Sequence, residues 1–192
     1  MAYMIEGGGS KTWEHAKRWL YEHPEESKKW LRAISDIIVK YLVKQYDAGA
    51  PILQVFDTNA GEVPPALYEK FMVDDLKYIA AEVKRQRPHA LMSIFPRNGP
   101  LAPFNDSAYD IIGVSWTVAP EQARRECPDK ILQGNLDPVA LFSSDDEIKS
   151  NVDGMMHRFG TSKYIANLGH GMMPNHTPRG AKAFVDAVTQ HH

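Results

Sequence analysis

Residues able to do chemistry recur at five places, each towards the C-terminal end of a short apolar run or just past it. They are Asp57 and Thr58, then Arg97 and Asn98, then Ser115, Trp116 and Thr117, then Gln133, Asn135 and Asp137, and finally Asn167 and His170. A carboxylate or an imidazole at such a point can move a proton. Hydroxyl, amide and guanidinium groups can hold an anion by hydrogen bonds. His170 has a distinctive setting in "KYIANLGHGMMPNHTP", between two glycines at the end of an apolar run and ahead of a proline. Either the segment is a strand-to-loop turn with an incidental histidine, or the glycines clear space for a ligand to reach the ring. Asp57 is open in the same way, as a base or as a cap on the loop that follows it. Asn135 and Asp137 in "NLDP" also suit a turn and a helix start, and Met172 and Met173 suit either a pocket wall or ordinary packing.

The elements that position these residues alternate. "PILQVFDT" (51–58), "HALMSIFP" (89–96), "DIIGVSW" (110–116), "KILQGNL" (130–136) and "KYIANLG" (163–169) read as buried parallel strands bounded by turn residues. Between them lie amphipathic stretches. The run from Pro24 to Ala50 opens with Pro24, Glu25 and Glu26, carries Trp30, Leu31, Ile34, Ile37, Ile38, Tyr41 and Leu42 at helical spacing, and closes near Gly49. A second helix runs from Pro64 to Pro88, a third from Ser143 to Gly160 with acids in its first turn, and a shorter one follows Thr177.

Strand, helix, strand, helix without a hairpin signal is an α/β pattern with a parallel sheet. An open doubly wound sheet and an arc of a (β/α)₈ barrel both fit, and both gather functional groups at strand C-termini. A complete barrel needs about 250 residues, and this chain has 192. The expectation is the C-terminal part of a barrel, with residues 1–192 as one unit.

Composition narrows the function classes. The chain is 43% hydrophobic and 24% charged with a net charge of −2, which argues against an overall basic nucleic-acid binder. One cysteine, Cys127, excludes an internal disulfide and a multi-cysteine zinc site. No apolar run approaches the roughly 20 residues of a membrane span, and "MAYMIEGGGSKT" lacks the basic and apolar regions of a signal peptide. "GGGSK" ahead of a helix suggests an anion-tolerant loop but has neither the P-loop nor the dinucleotide spacing. There is no H-E-x-x-H and no G-x-S-x-G. The terminal His191 and His192 are given no role.

The strings "YMIEGGGSK", "YLVKQYDAGA", "VFDTNAG", "GVSWTVAPEQAR", "LQGNLDP", "YIANLGHGMMP" and "FVDAV" together resemble the uroporphyrinogen decarboxylase family, in order and spacing, from Tyr3 to about Val188. That resemblance implies a (β/α)₈ barrel, usually a homodimer. It implies removal of four acetate carboxyl groups from uroporphyrinogen III to give coproporphyrinogen III in porphyrin and haem synthesis, with no metal or other cofactor. It places Tyr3, Thr58 and His170 in substrate binding, the glycines beside His170 leaving room for a tetrapyrrole. The family's carboxylate-gripping arginines and its pyrrole-binding aspartate fall ahead of the tyrosine motif. No catalytic residue is therefore assigned here, and the segment alone is expected to be inactive. The family's usual aspartate in "GLDWT" is Ser115 here, and Arg97 in "IFPRNGP" is a candidate anion contact without family support. The edges of a partial barrel are expected to be covered by self-association or by the rest of a longer chain. The location implied is cytoplasmic, or plastid where a targeting segment precedes Met1. Two alternatives stand beside this reading: a non-catalytic tetrapyrrole-binding or dimer-forming fragment, and a cobamide-dependent methyltransferase. The second uses zinc, and the lack of His-x-Cys and of a second cysteine argues against it.

Overall fold

Five short runs rich in Ile, Leu, Val and Phe pair into one sheet in the order in which they occur in the chain. The computed structural model describes residues 1–190. Its strands are β1 (Ile52–Asp57), β2 (Leu91–Pro96), β3 (Ile111–Gly113), β4 (Ile131–Leu136) and β5 (Tyr164–Leu168). All neighbours are parallel, with Ile52 opposite Leu91, Ser93 opposite Ile111, Ile111 opposite Ile131 and Leu132 opposite Tyr164. The strand order never reverses, whereas a doubly wound sheet has a reversal at its switch point. The arc of a barrel is the architecture that remains.

Side-chain alternation supports the same conclusion. Leu53 and Val55 of β1, Met92 and Ile94 of β2, Ile112 of β3 and Leu132 of β4 are buried in the main core. Every second residue points to the other side of a strand, and there Ile52, Phe56, Leu91 and Ile165 are exposed. A doubly wound sheet would carry helices over both faces.

The helices cover the outer face. α1 (Ala2–Glu6) and α2 (Glu14–Glu22) precede α3 (Pro24–Asp47), which starts with Pro24 in its first turn and is followed by Gly49 at φ 104°. Its apolar residues divide: Val39, Leu42 and Val43 enter the core, while Trp30, Ile37 and Tyr41 remain exposed. The helix expected between Pro64 and Pro88 is α4 (Pro65–Tyr68), a π-helical turn (Glu69–Val73) and α5 (Asp74–Gln86) in one continuous run. α6 (Pro120–Glu126) has no apolar stripe and was not expected, and neither was α1. α7 (Asp145–Phe159) begins in a capping box, with the Ser144 hydroxyl accepting from Glu147 N–H and the Glu147 carboxylate accepting from Ser144 N–H. α8 (Pro178–Gln190) closes the described chain, so His191 and His192 lie outside the described residues.

Candidate functional site

Asp57 ends β1, and its carboxylate is not a loop cap. It accepts a 2.8 Å hydrogen bond from the Tyr68 hydroxyl, eleven positions along. Tyr68 is buried at the end of α4, where the helix widens into its π-helical turn. The other strand-end aspartate, Asp137, behaves differently. Its Oδ1 accepts from Val139 N–H at 2.9 Å and caps a 3₁₀ turn. Burial pushes the Asp57 carboxyl above the ordinary aspartate range, and the Tyr68 hydroxyl opposes that shift. Burial also holds the Tyr68 and Tyr109 hydroxyls far above the ordinary tyrosine range, and the negative charge of Asp57 adds to both shifts.

Asp57 opens into a cavity of about 260 Å³ that also takes Tyr3, Phe56, Thr58, Tyr68 and Met72. Tyr3 reaches it from α1, its ring edge-on to Trp13 at 5.1 Å. The structure thus brings Tyr3 and Thr58 together. His170 is not in that cavity. It lies in a neighbouring one of about 280 Å³ with Gln54, Phe56, Phe95, Gln133 and Asn167. Phe56 is the wall shared by both. The His170 ring stands edge-on to Trp116 at 5.6 Å and to Phe95 at 6.1 Å.

The two glycines beside His170 differ. A Cβ on Gly169 would lie 2.3 Å from Trp116 N and 2.9 Å from the Asn135 carbonyl oxygen, so its missing side chain admits the chain's own backbone. Only Gly171, with nothing near a Cβ, borders open space. The expectation that both glycines make room for a ligand is corrected at Gly169.

Several strand-end polar residues brace the loops instead of facing a cleft. Ser115 Oγ is buried and accepts from Asn98 N–H at 2.8 Å, and Thr117 Oγ1 donates to Asn98 Oδ1 at 2.9 Å. Asn135 Nδ2 donates to the Ser115 and Val118 carbonyls at 2.9 and 2.7 Å. Arg97 donates to the Thr58 carbonyl and approaches Glu62 at 3.7 Å, which ties β1 to β2. Met172 and Met173 are exposed and line neither cavity. Just ahead of the glycine-rich loop, at the end of α1, Glu6 Oε1 accepts from Ala16 N–H at 3.0 Å, so the chain's own carboxylate occupies the N-terminus of α2. Among the described residues, no three His, Cys, Asp or Glu side chains form a metal-ligand set. None of their helices is long and apolar enough to cross a membrane.

Sequence reasoning missed Tyr68, Gln54, Phe56 and Phe95. Strand alternation would have placed the last three on the inner face with Asn167. Nothing local marks Tyr68, because the fold alone brings α4 back over Asp57.

The uroporphyrinogen decarboxylase family model matches residues 1–191. The chain is 45% identical to the uroporphyrinogen decarboxylase of Salinibacter ruber, covering all of this chain and 55% of that protein. Against the Homo sapiens uroporphyrinogen decarboxylase the identity is 46%, covering all of this chain and 54% of that protein. The chain therefore spans about half the length of the curated relatives it matches. Among solved structures, a methyltransferase from Methanosarcina mazei superimposes with a TM-score of 0.78 at 17% identity, over 93% of this chain and 53% of that one, which is a likeness of fold.

Proposed function

The chain belongs to the uroporphyrinogen decarboxylase family, and from that premise we propose that it supplies the C-terminal half of a barrel site that decarboxylates uroporphyrinogen III to coproporphyrinogen III. In this reading the chain is one unit, residues 1–192, and no metal or organic cofactor takes part. Tyr3, Thr58 and His170 are the substrate-binding residues. The observation that carries it is the pair of adjoining cavities at the strand C-termini with Phe56 between them. Pockets for ligands of drug size run about 300–1,000 Å³, so a tetrapyrrole has to lie across both. Phe56, Phe95 and Trp116 offer ring surfaces to the macrocycle. The Tyr3 and Thr58 hydroxyls and the His170 imidazole offer hydrogen bonds to its carboxylates.

The exposed inner face and the outer edges of β1 and β5 are covered, in the same reading, by a second copy or by the remainder of a barrel. The cellular setting is the cytoplasm or a plastid. The alternative reading is that this chain, which spans about half the length of its relatives, binds a tetrapyrrole without turning it over.

The test is anaerobic incubation with uroporphyrinogen III and chromatographic quantification of the partly and fully decarboxylated products. The chain by itself is expected to give none above background. Joined to the N-terminal half of the Salinibacter ruber relative, it is expected to give coproporphyrinogen, with His170→Ala and Thr58→Ala each lowering kcat/KM by about tenfold or more. Binding with no turnover in the joined form would favour the alternative. Full activity in His170→Ala would remove that residue from the site.

A further inference from the structure

Asp57 is a carboxyl group on the wall of the cavity that holds Tyr3 and Thr58, and the cap role open to it from sequence is not the one it takes. We infer that Asp57 is a catalytic proton donor of this site and that Tyr68 is its positioning residue. The inference rests on the functional reading above. Three features of the geometry support it. The carboxyl is half-buried at the end of a strand, where the backbone is fixed by the ladder to Pro96. Its Oδ2 is held by a hydroxyl whose own ring is locked in the core. The holding residue sits where the helix departs from α geometry, and π-helical turns are frequent at functional sites.

The groups around Asp57 come from each element packed on it. Tyr68 donates from α4, and Tyr109 lies buried ahead of β3 with its hydroxyl donating to the Leu76 carbonyl. Arg97 is turned to the Thr58 carbonyl and Glu62. Burial outweighs these, so the protonated form persists to higher pH than at an exposed aspartate.

The chemistry balances. When an acetate side chain loses CO₂, its C–C bond breaks and the electron pair stays with the side chain. The remaining carbon then takes up one proton to become a methyl group. Protonated Asp57 gives that proton, becomes a carboxylate hydrogen-bonded to Tyr68, and is recharged by a proton from solvent. One proton is consumed for each CO₂ released.

Two measurements test this. The first follows Asp57 by ¹³C NMR of labelled aspartate in the 192-residue chain, the unchanged resonances serving as a check on folding. The carboxyl is expected to titrate above the ordinary aspartate range, and higher still in Tyr68→Phe, which removes the hydrogen bond favouring the charged form. Titration within the ordinary range, or no change in Tyr68→Phe, overturns the inference. The second is turnover of uroporphyrinogen III by the chain joined to the N-terminal half. Asp57→Asn is expected to lower kcat about 100-fold or more with KM little changed. Tyr68→Phe is expected to lower kcat about tenfold and to move the alkaline limb of its pH profile upward. Wild-type kcat in Asp57→Asn overturns the inference and leaves the decarboxylase reading intact. No turnover by the unsubstituted joined form overturns that reading, and this proposal with it.

Discussion

Two glycines flank His170, and only the fold tells them apart. Gly169 gives its hydrogen to the Leu136 carbonyl and packs against the Trp116 backbone. A methyl group there meets backbone atoms that cannot move aside, so Gly169→Ala is expected to destabilise the chain by about 1–3 kcal/mol in urea unfolding. Gly171→Ala is expected to leave stability within about 0.5 kcal/mol. If Gly171→Ala nevertheless weakens tetrapyrrole binding, the open side of His170 is the side the ligand uses. Equal stability of the two variants would mean that the approach to Trp116 does not matter. The same logic explains what sequence could say about single residues. Asp57 ends β1 and Asp137 directly follows β4, and both precede a turn, yet Asp137 caps its loop and Asp57 receives a buried tyrosine. Their local contexts are alike, and the difference is a contact across eleven residues. Ser115, Asn98 and Asn135 were likewise visible as polar strand ends. Their work of bracing one loop on another depends on the distances between strands.

The elements were far more legible than the contacts. All five strands lie within the runs marked by β-branched and aromatic residues between turn residues. Long helices announced themselves by proline, acids and capping residues. The failures have local causes. α6 is seven residues, "PEQARRE", with only Pro120 and Ala123 buried, too short to show a period. The π-helical turn changes no apolar spacing that a helical pattern would register. α6 is tied to α7 by a two-pronged ion pair, Arg158 Nε and Nη2 each donating at 2.8 Å to Glu121. That hydrogen bonding holds the Glu121 carboxyl at about 2, well below the ordinary glutamate range. A carboxylate with a depressed folded pKa adds stability above its unfolded pKa and loses it as pH falls through the folded one. Both partners are exposed, so the contribution is small and screened by salt. The melting-temperature difference between the wild type and Glu121→Gln is therefore expected to be largest near neutral pH in low salt. It should shrink as pH falls towards 2 and also in 1 M salt. A difference independent of both would mean that the helices are held by something other than this pair.

At the scale of the whole molecule, the distribution of exposed apolar side chains separates the middle of the arc from its ends. From Asp57 to Pro138 only Leu91 is a large exposed hydrophobe among the described residues. Ahead of that span are Tyr3, Met4, Tyr21, Trp30, Ile37, Tyr41, Ile52 and Phe56, with Phe56 at 68% exposure. After it come Val139, Phe142, Ile165, Met172, Met173 and Val185. The middle strands are satisfied by their own helices, and the terminal elements are not. β1 and β5 each have one partner strand, so a row of backbone N–H and C=O groups is open on each outer edge. Apolar surface of this extent, beside open strand edges, is what a protein covers by association. Light scattering over a dilution series is therefore expected to show the chain as an oligomer that dissociates only at low concentration. Titration with the N-terminal half of the Salinibacter ruber relative should replace that oligomer by a complex with one of each, because the complementary half completes an eight-stranded ring while a second copy brings five strands more. A monomer that stays monomeric at high concentration and ignores the added half would mean that the exposed strips at the two ends are tolerated in water, and the proposed covering of the inner face would fail.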